Sequence, residues 1–277
     1  MNDQQGTPLF EIANKVRKNA LDAVYSAGSG HLGGSLSVAD ILTVLYFRKM
    51  RVRIEEPKWA DRDRLVLSKG HCSPALYGVL AEKGFFPAEE LKRFRQIDSM
   101  LSGHVELHVP GVDMSTGSLG QGLSVALGMA LAAQVDKKDY RVYAVLGDGE
   151  LEEGQVWEAA MAAGHYRCDR LVAIVDNNNL QIDGCIGDVM SPYPIVEKFK
   201  AFQWNVLEVD GHDLEALENA LTAAESTKNM PTAIVAKTVK GKGVSFMENV
   251  AGWHGKAPNQ QEYEKAIAEI REIGGIQ

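Results

Sequence analysis

Asp148 stands between two glycines at the end of an apolar run, Val142-Tyr143-Ala144-Val145-Leu146-Gly147-Asp148-Gly149, and Asn178 follows 30 residues later at the end of a second run, Ile174-Val175-Asp176-Asn177-Asn178. A carboxylate and an amide oxygen suit a hard divalent cation. Magnesium takes a near-octahedral set of oxygens, and proteins usually hold it with one or two of their own groups plus the phosphate oxygens of a ligand. The flanking glycines let backbone amides approach such a phosphate while the acid projects from the strand end. Each half also has a plainer reading. Gly-Asp-Gly alone is an ordinary strand-to-helix turn, and asparagine-rich segments suit turns by themselves. The two together at this spacing favour a metal and a diphosphate in one crevice, provided that the two runs are neighbouring strands.

The runs have the pattern of buried strands. Residues 141–146, 171–176, 206–209 and 232–237 are short, rich in β-branched side chains and bounded by turn or charged residues, and residues 64–68 add a fifth. Helical patterns lie around and between them. Ile12, Val16, Ala20, Ala23 and Val24 recur at three- and four-residue steps, which predicts an amphipathic helix over 8–27, ended by Gly28. Further helices are expected over 38–46, 121–135, 152–163 and 214–224. Strands alternating with helices give the α/β class, a single domain with a mostly parallel sheet flanked by helices, and place ligand loops at the carboxyl ends of the strands. No internal repeat or low-complexity tract interrupts the chain, so residues 1–277 read as one domain.

Composition narrows the partners. The chain has 277 residues, 45% of them hydrophobic, and 29 basic against 37 acidic side chains give a net charge of −8. Without a long basic run there is no electrostatic footprint for nucleic acid. Residues 1–7 are polar and lack an apolar signal core, and no later apolar run is both long and charge-free enough to cross a bilayer, so a soluble cytoplasmic protein is expected. Cys72, Cys168 and Cys185 form no CxxC pair, which argues against a disulfide framework or a structural zinc. Cys72 adjoins His71, but sequence neighbours seldom face each other, and a small buried residue is expected there. The run Lys240-Gly241-Lys242-Gly243 reads as a solvated basic turn rather than a phosphate contact.

Several further segments accompany the acid and amide: Ser29-Gly30-His31, Leu67-Ser68-Lys69-Gly70-His71, Ser102-Gly103-His104, Thr116-Gly117-Ser118-Leu119-Gly120-Gln121-Gly122, residues 149–154, Ile182-Asp183-Gly184 and Trp253-His254-Gly255-Lys256-Ala257-Pro258. In these segments and in this order the chain resembles the transketolase family, over nearly its whole length. The Gly-Asp-Gly to Asn motif alone is shared by thiamine-diphosphate enzymes at large.

The resemblance implies a thiamine-diphosphate-binding fold, thiamine diphosphate with Mg2+ (or Ca2+ or Mn2+), and transfer of a two-carbon ketol group from a ketose phosphate to an aldose phosphate, as in the pentose phosphate pathway. It implies that Asp148, Asn178 and the Leu180 carbonyl hold the metal. Gly147 and Gly149 belong to the cofactor motif, and Gly149, His71 and His254 match positions near the diphosphate. Gly117 and Leu119 match backbone contacts to the aminopyrimidine ring. His31, His104 and again His254 match histidines that address the sugar oxygens, work that suits a side chain titrating near neutrality. Glu153 matches an acid at the subunit interface linked to the partner's catalytic acid, although with Glu150 and Glu152 it also fits the first turn of a helix, where acids favour the dipole. His108, His165 and His212 read as hydrogen-bonding turn residues.

The family's catalytic glutamate belongs to a pyrimidine-binding domain that nothing in this chain matches. A C-terminal transketolase subunit is therefore expected to supply it, in an α2β2 assembly. Leu32-Gly33-Gly34 replaces the proline that follows the first histidine in many single-chain transketolases, as in split forms and deoxyxylulose-phosphate synthases. Rival readings are the α chain of a 2-oxo-acid dehydrogenase, which would lack the His31, His71 and His104 loops, and a deoxyxylulose-phosphate synthase fragment, which fits residues 116–122 and 253–258 less well. A non-catalytic cofactor-binding module would bind without any partner restoring turnover.

Overall fold

Ile12, Val16, Ala20 and Val24 are all buried along one side of the helix Leu9–Ala27 (α1), which Gly28 ends in the left-handed conformation with its N–H bonded to Tyr25 O at 3.1 Å. The computed structural model describes residues 7–276, so most of the polar leader at 1–7 lies outside the described residues. After α1 come α2 (Gly33–Val44), β1 (Arg64–Leu67), α3 (Ser73–Lys83), α4 (Gln121–Val135), β2 (Val142–Gly147), α5 (Gly154–His165) and β3 (Leu171–Asn177). A small hairpin, β4 (Leu180–Gln181) and β5 (Gly184–Cys185), leads through α6 (Ile186–Val189) and α7 (Ile195–Ala201) to β6 (Asn205–Asp210), α8 (Leu214–Ser226), β7 (Thr232–Lys237) and α9 (Gln260–Gly274).

The five long strands form one parallel sheet in the order β1-β2-β3-β7-β6. Alternate residues of each strand feed opposite cores, as a pleat requires. Tyr143, Val145, Val172 and Ile174 pack with α1, α2, α3, α8 and α9. Ala144, Leu146, Ala173 and Val175 pack with α4, α5 and α7. Helices on both faces leave the carboxyl ends of the strands as the open edge, and β2 and β3 are neighbours there, with Gly147 opposite Asp176. The condition for a shared crevice is met.

Two helix starts differ from expectation. Helix α2 begins at Gly33, not at 38, because its glycines let it approach its neighbours closely: a Cβ on Gly33 would lie 3.1 Å from Trp253 O, and one on Gly34 would lie 2.8 Å from Cys72 Sγ. Residues with the composition of a loop therefore open a helix. In contrast, the helix expected from 152 starts at Gly154, behind a 3-10 turn at Gly149–Glu152. Asp148 caps that turn through Gly149 N at 2.9 Å, and the Glu150 carboxylate reaches back to Gly147 N at 3.1 Å. Glu153 is extended between the two elements, outside any first helical turn.

Candidate active site

The ends of β2 and β3 and the loops after β1 and β7 enclose a crevice of about 290 Å³. Asp148, only 2% exposed, accepts hydrogen bonds from Gly149 N at 2.9 Å and from Asn179 N. Burial, and next the Asp176 charge, push its carboxyl up to about 6, against the pull of those two amides. Asn178 Oδ1 accepts from Leu180 N at 3.2 Å, and Leu180 O accepts from Lys240 Nζ at 3.1 Å.

Carboxylate, amide and carbonyl oxygens thus line one wall, and each keeps a second lone pair. Among the described residues no group of three His, Cys, Asp or Glu side chains is arranged to hold a metal. A cation here needs further oxygens from a ligand, which is how magnesium and a diphosphate bind together. Gly147 fits that ligand. A Cβ built on it meets nothing nearer than 4.0 Å, so packing of the chain does not demand glycine, and a side chain would fill crevice space instead.

Beneath the crevice lies a pair that is buried outright. Lys69 and Asp176 are 2% and 0% exposed and form an ion pair. Asp176 also accepts from Ser37 Oγ at 2.6 Å and from Thr238 Oγ1, and Lys69 Nζ donates to Gly34 O at 3.3 Å. Burial is the largest single effect and opposes both charges, yet the partner's charge and hydrogen bond, together with the other neighbours, overcome it: Lys69 is held above its ordinary range and Asp176 below. Glu150 is a further buried charge. Its carboxylate accepts from Ser68 Oγ, from Gly120 N at 2.9 Å and from Gly147 N at 3.1 Å, although burial still raises its carboxyl.

Above this floor four histidines from four loops converge. Ring centroids lie 5.2 Å apart for His31 and His71, 5.6 Å for His31 and His104, 5.5 Å for His31 and His254, and 5.1 Å for His71 and His254. Burial lowers all four first, and then a neighbour: His104 for His31, which falls to about 4, Lys240 for His254, which falls to about 3, Lys69 for His71 and Arg95 for His104. This corrects the expectation of imidazoles titrating near neutrality. At pH 7 the protein alone presents four neutral rings, each one donor and one acceptor. Lys240 donates to His254 Nδ1 at 2.9 Å, which leaves the proton of that ring on Nε2.

The chain matches, over residues 10–277, the family model described as transketolase, thiamine diphosphate binding domain. The chain belongs to the transketolase family. Two of the relatives that the chain matches over nearly their full length are named as subunits. One named subunit of the apulose-4-phosphate transketolase of Phocaeicola vulgatus is 46% identical over 94% of this chain and 92% of its own. The 6-deoxy-6-sulfo-D-fructose transketolase subunit SqwG of Clostridium sp. is 44% identical over 99% and 100%. The crystal structure of transketolase from Campylobacter jejuni superposes with a TM-score of 0.90 at 36% identity, covering all of this chain but 44% of that one.

On this transketolase fold, His31, His71, His104, Gly117, Leu119, Gly147, Asp148, Gly149, Asn178, Leu180 and His254 all line the crevice. Glu153 does not. It is exposed at the rim, against Gly120. Lys240, expected in a solvated turn, is instead 2% exposed on the crevice wall, where burial and then Lys69 lower its ammonium to about 8. His212 is more than a turn residue, since it bridges Asp40 at 2.7 Å and Val239 N at 2.8 Å. Cys72 is fully buried, with its thiol raised by burial, as a packing residue should be. Lys69, Asp176 and Glu150 carry a signal that sequence could have offered: charged residues at the ends of apolar strands, where burial obliges a partner.

Proposed function

We propose that this transketolase-family chain binds thiamine diphosphate with a divalent cation and, together with a second chain, transfers a two-carbon ketol group from a ketose phosphate to an aldose phosphate. The observation that carries the reading is the convergence of four imidazoles over the crevice that Asp148, Asn178 and the Leu180 carbonyl line. When bound, thiamine diphosphate supplies the carbon nucleophile and electron sink for breaking and making the carbon–carbon bond.

The residues of the chain do the rest. Asp148, Asn178 and the Leu180 carbonyl hold the cation, with Mg2+ favoured by the all-oxygen set. Gly147 leaves room for the diphosphate, which Gly149, His71, His254 and Lys240 address. Gly117 and Leu119 offer backbone groups to the aminopyrimidine ring. His31, His104 and the Nε2–H of His254 orient the sugar hydroxyl and carbonyl oxygens, and as neutral rings they can both give and accept a proton.

Glu153, exposed at the rim, faces the partner that brings the pyrimidine-binding domain and its catalytic glutamate. Two relatives of matching length named as subunits support that division, and the reading extends to a cytoplasmic α2β2 heterotetramer acting on pentose phosphates. The donor panel for a test includes the ketoses for which those relatives are named. The purified chain with xylulose 5-phosphate, ribose 5-phosphate, cofactor and Mg2+ should show no ketol transfer, and adding the partner should restore it. Full turnover by the isolated chain, or turnover of pyruvate in place of the ketose, would overturn the proposal.

A further inference from the structure

The amino end of the same sheet, opposite the crevice, carries a second cavity of about 450 Å³. Five basic side chains line it against three acidic ones, so it holds a surplus of positive charge. Three of the cations have partners. Arg51 pairs with Asp63 and Asp139, each at 3.2 Å, and Lys49 pairs with Glu225 at 3.2 Å. Arg141 donates to the carbonyls of Glu225 at 2.7 Å and Asp169 at 3.3 Å, neither of which neutralises it. Arg48 has only a 3.4 Å contact to Phe47 O, and Arg170 has no side-chain hydrogen bond or ion pair among the described residues.

Part of this charge has a structural cause. Helix α8 ends here, and cations complement the negative end of a helix dipole, which accounts for Lys49 and Arg141. It does not account for Tyr143. This residue of β2 lines the cavity, is 1% exposed, and its hydroxyl is buried without a hydrogen-bond partner among the described residues. Burial, then Asp63 and Glu225, keep the phenol protonated, so it is a donor in need of an acceptor. Buried donors are rarely left unpaired, and those that are call for a specific explanation.

We propose that this cavity is a binding site for a phosphate group, with Arg141 and Arg170 as its cations and Tyr143 as a neutral donor. A phosphate offers several strong acceptor oxygens on one centre, and guanidinium groups match it in a planar, two-pronged fashion. The site is independent of the cofactor crevice and of the reading given to it. Titration calorimetry of the purified chain with inorganic phosphate, and separately with pyrophosphate, tests it. Binding with a Kd of about 1 mM or tighter is expected. The titrant whose heat depends more on Tyr143 and Arg170 tells whether the ligand of this cavity carries a single phosphate or a diphosphate.

Tyr143→Phe and Arg170→Gln should each weaken that binding about tenfold, as loss of one charge-assisted hydrogen bond does. Neither should lower the melting temperature in phosphate-free buffer, because neither removes a side-chain bond made among the described residues. Lys240→Met can remove only binding in the crevice, so the heat that Tyr143→Phe and Arg170→Gln weaken should survive it. The proposal fails if Lys240→Met abolishes the binding while Tyr143→Phe and Arg170→Gln spare it. It fails equally if all variants bind alike, or if no heat appears up to about 10 mM titrant.

Discussion

Asp176 and His31 both keep polar atoms from water around one crevice, but they do so on opposite terms. Both carboxylate oxygens of Asp176 are engaged, by Lys69, Ser37 and Thr238. His31 Nδ1 has no partner among the described residues, and of the four clustered imidazoles only His254 makes a side-chain hydrogen bond there. A low local dielectric strengthens a satisfied network and penalises an unsatisfied group, so the two regions differ in what they do for the fold. The floor fixes the strand ends. The wall of histidines costs stability and keeps its bonding capacity for something other than the protein.

The strongest way to break this contrast is Asp176→Ala. Lys69 would remain buried without a counter-charge, and unfolding in urea should show a loss of about 4 kcal/mol. A loss below about 1 kcal/mol would mean that water already reaches the pair. Asp148→Ala should cost much less. It removes a carboxylate that burial and Asp176 already disfavour but frees Gly149 N and Asn179 N, so unfolding in urea should show a loss of about 1 kcal/mol, while calorimetry should show cofactor affinity in Mg2+ falling about 100-fold. Unchanged affinity would refute the metal assignment.

The smallest effect sharpens the contrast by pH. His31 and His254 bind protons in the fold only near pH 4 and pH 3, against an ordinary value of 6.5. The unfolded chain therefore holds more protons between those limits. Their contribution is complete above about pH 6.5 and is lost as pH falls toward 4. Asp148, raised to about 6 from 3.8, works the other way over part of that range and blunts the slope. Scanning calorimetry should show a melting temperature about 5 °C lower at pH 5 than at pH 7. Replacing His31 and His254 together by glutamine should flatten the profile.

Much of this is legible in sequence because strand ends announce themselves. The runs before Asp148 and Asn178 are apolar, short and β-branched, and in a parallel sheet such ends share an edge. Helix α3 is not legible, since residues from Ser73 through Leu80 are all buried and leave no polar face to set a period. Lys240 misleads for a different reason. Its turn is tied beneath α2 by Gly241 N bonding Gly33 O at 2.9 Å, a contact between residues more than two hundred positions apart that no local pattern encodes. The depressed histidines likewise follow from mutual proximity, which only the folded loops create.

Glu150 has a consequence for how the site can change. One carboxylate ties Gly120, next to the loop of Gly117 and Leu119, to Gly147 in the turn that Asp148 caps, and holds Ser68 beside them. Three segments distant in sequence therefore share a single anchor and form one unit of inheritance. Loops grafted here from a relative should be exchanged together with the acid that fastens them, since a transplanted turn without its knot would carry the right residues in the wrong places.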